Sequence, residues 1–273
     1  MDVAERMRKR FGEGVLSWTA ALPARLARLA AAWDLTLGDV FPDGASAVTL
    51  RVTRAGEPAV LKVSPDLVFA AEQVEVLRAF APSGRVPAVL AADPDEGAVL
   101  LEHVRGTNTW PEPAAFGALL RDLHAAVADP AAIARRDLGG WTGEFLPRFT
   151  PTGPVTAAHL VTARDRCAEL VTTQGAPVLL HGDLHVDNLL DAGPRGPVVL
   201  DPKACLGEPE FDAVDFVLAG PDHPARVAAL AAASSLDAGR LDAWARALAP
   251  VVAVGQLRRG LPVGALLEYA TGA

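Results

Sequence analysis

Residues 179–190 read LLHGDLHVDNLL, and residues 198–203 read VVLDPK. An apolar run of strand type leads directly into His181, Asp183, His185, Asp187 and Asn188, all within eight positions. PVLL (177–180) and PVVL (197–200) flank DAGPRGP, and the second run ends in Asp201, ahead of Pro202 and Lys203. A hairpin bounded by Asp183 and Asp201 brings the carboxylates together at strand ends beside one turn region. Crowded buried carboxylates repel unless a cation or a proton intervenes. A divalent ion between Asn188 and Asp201 relieves that cost, and oxygen ligands of this kind suit Mg2+.

The spacing carries the chemistry. Asn188 follows Asp183 by five positions, and Asp201 follows Asn188 by thirteen. H-x-D with an Asn five residues on, then a metal-binding Asp on the next hairpin, is a known solution to phosphoryl transfer. In it a carboxylate (here Asp183) accepts the proton of an attacking hydroxyl, while an amide (Asn188) and a second carboxylate (Asp201) hold Mg2+ on phosphate oxygens. Two rival readings stand beside it. His181-x-Asp183-x-His185 matches a transition-metal cluster of a hydrolase, although that leaves Asn188 and Asp201 unexplained. A structural loop whose polar groups cap strands is the other. His181 suits an orienting role better than that of a base.

Upstream, AVLKV (59–63) puts Lys62 in an otherwise apolar strand. A nucleotide kinase needs such a lysine for the α/β-phosphates and a helix carboxylate to position it. Glu72 is favoured as that carboxylate, because Phe69 and Val76 place it beside the apolar face of the next helix; Glu75 is the fallback. FPDGASAVTL (41–50) is a phosphate-loop candidate by position only. It has one glycine, Gly44, with Ala45 and Ser46 as small residues where backbone amides can approach phosphates.

The 273 residues are 51% hydrophobic and 21% charged, which excludes a disordered chain and gives enough length for one large or two closely packed domains. A net charge of −8 argues against a nucleic-acid binder. No apolar stretch suits a membrane span, and MDVAERMRKRFGEG leads into no signal-type apolar region, so a cytoplasmic protein is expected. Cys167 and Cys205 make no disulfide framework.

Leu22, Leu26, Leu29 and Trp33 mark a helix over 15–33. VTLRV (48–52) and AVLKV form a hairpin about TRAGEP, and SPD (64–66) opens a helix with Ser64 as cap and Pro65 at the first position. Strands follow in 87–104. Helices are then expected around 116–123, over 155–173 and through 223–272. The expected fold class is α+β: a nucleotide-binding lobe over 1–103, with a small antiparallel sheet and one internal helix, and a larger helical catalytic and substrate-binding lobe over 104–273.

These residues resemble the aminoglycoside phosphotransferase family, a branch of the protein-kinase-like fold. The resemblance rests on HGDLHVDN (181–188), VVLDPK, AVLKV and LLEHVRG (100–106), and runs from about Trp18 to Phe216. LDPKACLGEPEFDAVDF (200–216) is similar to the streptomycin 6-phosphotransferase and hydroxyurea phosphotransferase branch, with Cys205 as a departure. The resemblance implies ATP and Mg2+, Asp183 as catalytic base, Asn188 and Asp201 on the metal, and Lys62 on the ATP phosphates with Glu72 as partner. It further implies adenine held by the backbone of Glu102 and Val104 at the lobe join. The acceptor it implies is a small hydroxylated cation of the streptomycin type. Glu208, Glu210, Asp212 and Asp215 are the candidate carboxylates for it, although Asp212 and Asp215 equally suit bracing the helix after the loop. Trp110 and Trp141 suit either stacking on the substrate or core packing. The alternatives are a kinase of a sugar, an amino sugar or hydroxyurea, and a catalytically idle nucleotide-binding module.

Overall fold

In the computed structural model, which describes residues 3–42, 44 and 46–272, the chain divides into two compact units. One comprises residues up to Ala81 together with Val86–Arg105; the other comprises Pro82–Arg85 and Gly106 onward.

The first unit opens with α1 (Val3–Phe11) and α2 (Leu16–Trp33), then β1 (Leu35–Val40), β2 (Val48–Arg54), β3 (Glu57–Val63), α3 (Leu67–Phe80), β4 (Val89–Asp93) and β5 (Ala98–Glu102). The strands form one antiparallel sheet in the order β1-β2-β3-β5-β4. Strand alternation explains its core. Val48, Leu50 and Val52 on β2, and Ala59, Leu61 and Val63 on β3, bury with Leu22 and Leu29 of α2 and Met7 of α1. The β2–β3 turn is tighter than TRAGEP suggests. Arg54 pairs with Glu57, so Ala55 and Gly56 alone make the turn, at φ +50° and +84°. Two consecutive positive φ angles match the primed hairpin turns that follow strand twist.

The start of α3 differs from expectation. Asp66 is the cap, accepting from Phe69 N–H at 3.0 Å, and the helix begins at Leu67. The Ser64 hydroxyl is committed one turn earlier, accepting from Asp66 N–H and donating to Ser46 O at 2.7 Å.

The second unit contains β6 (Thr107–Asn108), α4 (Pro113–Ala125), α5 (Pro130–Ile133), α6 (Leu138–Phe145) and α7 (Ala157–Thr172). Four short strands follow: β7 (Val178–Leu180), β8 (Leu189–Asp191), β9 (Pro197–Val199) and β10 (Cys205–Gly207). The chain ends in α8 (Val214–Leu218), α9 (His223–Ala233), α10 (Ala238–Arg258) and α11 (Gly264–Thr271). PVLL and PVVL do not pair with each other. β7 pairs with β10, whereas β9 pairs with β8, and β6 extends that second sheet. The segment 181–188 therefore bridges two small sheets, each fixing one end of it. Trp244 of α10 is wholly buried, with its ring edge-on to Phe211. Both cysteines are buried and free. Among the described residues no helix is long and apolar enough to cross a membrane.

Candidate active site

β7 ends in the buried Leu180, and the chain then turns through Gly182 at φ +76°. A Cβ at Gly182 would collide with the Lys203 carbonyl, so the approach of the two segments requires glycine. Lys203 N–H donates to His181 O at 2.8 Å, lacing the loop to the segment after Asp201. The His181 ring is fully buried. Its Nε2 meets Leu200 O at 2.9 Å, and its Nδ1 accepts from Asp183 N–H at 3.4 Å. Burial disfavours the imidazolium strongly enough to outweigh nearby Asp212 and Asp183, which lowers the His181 pKa. A neutral ring with both nitrogens engaged orients the loop and is not a metal ligand. Among the described residues no group of three His, Cys, Asp or Glu side chains is arranged to hold a metal.

Asp212 holds this loop from below. One carboxylate oxygen accepts from His181 N–H at 2.7 Å and contacts His124 Nε2 at 3.0 Å; the other accepts from Gly182 N–H at 2.9 Å. Burial works to raise its pKa, but the His124 hydrogen bond, the nearness of the His124 and His181 rings and the Gly182 N–H outweigh it, and the net direction is down. Both oxygens are spent on the protein. The expectation that Asp212 binds substrate is corrected: it braces the loop. His124, contributed by α4, has no local sequence signal that links it to residue 212.

Asp183 faces upward from the braced loop. Lys203 Nζ lies 2.7 Å from its Oδ2 and His185 Nε2 lies 3.7 Å away. Burial pushes the carboxyl up, yet His185 and Lys203 prevail and hold it well below the usual carboxylate range. Asn188 Nδ2 donates to Asp183 O at 2.9 Å and reaches its Oδ2 at 3.3 Å. Asn188 O accepts from Leu200 N–H at 2.8 Å, which places Asn188 opposite the residue preceding Asp201. Asp201 itself sits at φ +56°, a left-handed conformation that few residues other than glycine adopt and that Asp tolerates. An amide oxygen and a carboxylate are hard donors of the kind Mg2+ takes. Mg2+ usually completes its shell with waters and phosphates, so a partial protein donor set fits it.

In the first unit Lys62 is only 7% exposed, on an interior strand, between Thr49 of β2 and Val99 of β5. Its Nζ donates to Gln73 Oε1 at 3.3 Å. Gln73 is a residue that sequence reasoning passed over; Glu72 lies half-buried one position earlier on α3. Ser46 is half-buried ahead of β2, two positions after Gly44, which sits at φ +124°; Ala45, the other small residue of that segment, lies outside the described residues. Glu102 N–H already donates to Ala88 O at 2.9 Å, and a Glu102 carboxylate oxygen accepts from Ala88 N–H. The Glu102 N–H is thus already engaged by Ala88. Val104 is half-buried in the extended segment after β5.

Beside the loop, the second unit opens a cavity of about 430 Å³, lined by Trp110, Trp141, Phe145, Phe149, Asp183, His185, Asp215, Gln256 and Arg259 among others. Of the four expected substrate carboxylates, only Asp215 remains available at its wall. Glu208 is 2% exposed, paired with Arg240 and hydrogen-bonded by Trp244 Nε1, and Glu210 is buried and accepts from Asp237 N–H. Both assignments are corrected: a buried carboxylate already satisfied by Arg240 or by a backbone amide belongs to the fold. Burial pushes the Asp215 carboxyl up to about 6; His185 opposes this, while Asp183 and Asp212 add to it. A folded-state pKa above the unfolded one means stability falls as pH rises from about 4 to 6 and stays lower above that. Asp215→Asn is expected to gain about 1–3 kcal/mol at pH 8 and nothing at pH 4, read by urea unfolding at both pH values. A gain that is equal at the two pH values contradicts this.

Comparisons with known proteins identify the family of the chain. The model of the phosphotransferase enzyme family matches residues 38–249. The chain is 32% identical to the streptomycin 6-kinase of Streptomyces glaucescens, over 74% of this chain and 68% of that one. It is 33% identical to the hydroxyurea phosphotransferase of Kitasatospora aureofaciens, over 73% of this chain and 62% of that one. An aminoglycoside phosphotransferase solved as a ternary complex with ADP and hygromycin B has a TM-score of 0.61, with 90% of this chain and 94% of that one covered, at 16% identity, a likeness of fold alone. With the family match spanning the strand of Lys62, the loop of Asp183 and the segment of Asp201, the chain belongs to the phosphotransferase enzyme family and is a phosphotransferase of the aminoglycoside type.

Proposed function

We propose that this phosphotransferase moves the γ-phosphoryl group of ATP to a hydroxyl of a small cationic acceptor, with streptomycin as the leading candidate. The observation that supports it most is the Asp183 carboxylate, kept ionised on a braced loop at the wall of a ligand-sized cavity. The acceptor oxygen attacks the γ-phosphorus, the bond from that phosphorus to the β–γ bridging oxygen breaks, ADP leaves, and the hydroxyl proton passes to Asp183. A carboxylate with so low a pKa is a weak base towards an alcohol. Its work is to orient the hydroxyl and to take the proton late, as a loose transition state requires. Lys203, already against Asp183, supplies positive charge beside the reacting oxygens. Asn188 and Asp201 would hold Mg2+, which when bound neutralises phosphate charge. Lys62, positioned by Gln73, would hold the α/β-phosphates, and the Glu102 carbonyl with the Val104 backbone would take adenine.

The streptomycin kinase relatives support that acceptor. Hydroxyurea, the substrate class named for another relative, is a handful of atoms and would leave most of a 430 Å³ cavity unfilled. The test is incubation with γ-labelled ATP, Mg2+ and streptomycin. Label is expected in a streptomycin phosphate, with none formed when Mg2+ is chelated. Label appearing only as inorganic phosphate would reject streptomycin as acceptor.

A further inference from the structure

The cavity beside Asp183 is poor in hydrogen-bond acceptors and rich in aromatic faces. Phe149, Phe145, Trp141 and Phe211 form a continuous chain, with ring centroids 4.9, 4.4 and 4.9 Å apart in that order. Phe211 is buried, while the other three rings remain partly exposed along the cavity wall. Asp212 has no oxygen to spare, Asp183 is occupied by the reaction and the His185 ring lies between Asp183 and Asp187, which leaves the Asp215 carboxylate and the Gln256 amide oxygen as the side-chain oxygens on the wall. Arg259, whose Nη2 is 3.3 Å from Asp187, adds positive charge at the same wall.

Cations differ in what they ask of such a site. A primary ammonium is compact, strongly hydrated and has three donors to satisfy; a guanidinium is planar, weakly hydrated and stacks on aromatic rings. Quaternary ammonium groups have no donors at all and favour aromatic faces.

We infer that the cavity selects acceptors whose charge is a guanidinium or a quaternary ammonium, taken by the Trp141 ring with Asp215 as the counter-charge, over acceptors that carry several primary ammoniums. The inference deepens the reading of this cavity as the acceptor site and rests on it. Trp141 and Asp215 thereby become specificity residues, and Asp183 keeps the hydroxyl.

The test compares binding of streptomycin, whose cyclitol carries guanidinium groups, with that of hygromycin B, whose cations are protonated amines. Calorimetric titration of the whole protein is expected to find streptomycin about tenfold tighter. Trp141→Leu should remove about that tenfold for streptomycin and leave hygromycin B unchanged, whereas Trp141→Phe, which keeps an aromatic face, should retain most of it. ATP affinity, unchanged in both variants, checks that they are folded. Equal or reversed preference, binding of neither compound, or an equal loss for both in Trp141→Leu overturns the inference. Transfer of label from ATP to either compound is a separate readout. Its presence with no preference leaves the phosphotransfer reading standing and removes the selectivity. Its absence with the preference intact does the reverse.

Discussion

Asp183→Asn will lower kcat by about three orders of magnitude while leaving ATP affinity within several-fold. Asparagine keeps the size of the side chain, and its amide oxygen can still face Lys203 and Asn188, so the loop retains its shape. What it loses is the charge proposed above to orient the acceptor hydroxyl and to receive its proton. KM for the acceptor should change little, because the hydroxyl contact is a small part of the binding surface in a cavity of about 430 Å³. Steady-state kinetics with streptomycin, alongside calorimetric titration with ATP, separates the two effects. An Asp183→Asn protein of full activity would remove this residue from the reaction.

Asp212→Ala is expected to cost about 3–5 kcal/mol of stability and to abolish turnover with it. The wild-type carboxylate satisfies two buried backbone N–H groups, His181 and Gly182, and one ring nitrogen, His124 Nε2. Alanine leaves all three without that acceptor at a buried position, and the segment carrying Asp183 loses its brace. Urea unfolding measures the stability loss. A residue that merely bound substrate would behave differently, raising the acceptor KM with unfolding unaltered. Asp212→Asn tests the same idea more gently, because one of its two polar atoms becomes a donor facing backbone N–H groups.

Signals of short range were the legible ones. The five-residue step from Asp183 to Asn188 lies within one turn-bounded loop, and the lysine of AVLKV stands out because strand neighbours are uniformly apolar. Periodic leucines placed α2 to within a residue at its start. What escaped depends on contacts distant in sequence. The choice of β10 over β9 as partner of β7 is settled by packing that no window of the sequence contains. Asp212 and His181 are separated by 31 positions, and nothing near either residue announces their bond. Glu208 and Glu210 read as a free acidic cluster until Arg240, Trp244 and the Asp237 amide are seen to consume them. The start of α3 is ambiguous in sequence for a local reason: Ser64 and Asp66 are both good caps, and Asp66 takes the role because the serine hydroxyl is tied to Ser46.

The proposed phosphoryl transfer has Asn188 and Asp201 acting together on a metal–nucleotide complex. Calorimetric titration of the wild-type protein and of Asp201→Ala with a non-hydrolysable ATP analogue, each with and without Mg2+, measures that directly. Mg2+ should tighten nucleotide binding to the wild type, and Asp201→Ala should abolish the tightening while keeping the metal-free affinity. Identical Mg2+ dependence in the two proteins would contradict the account.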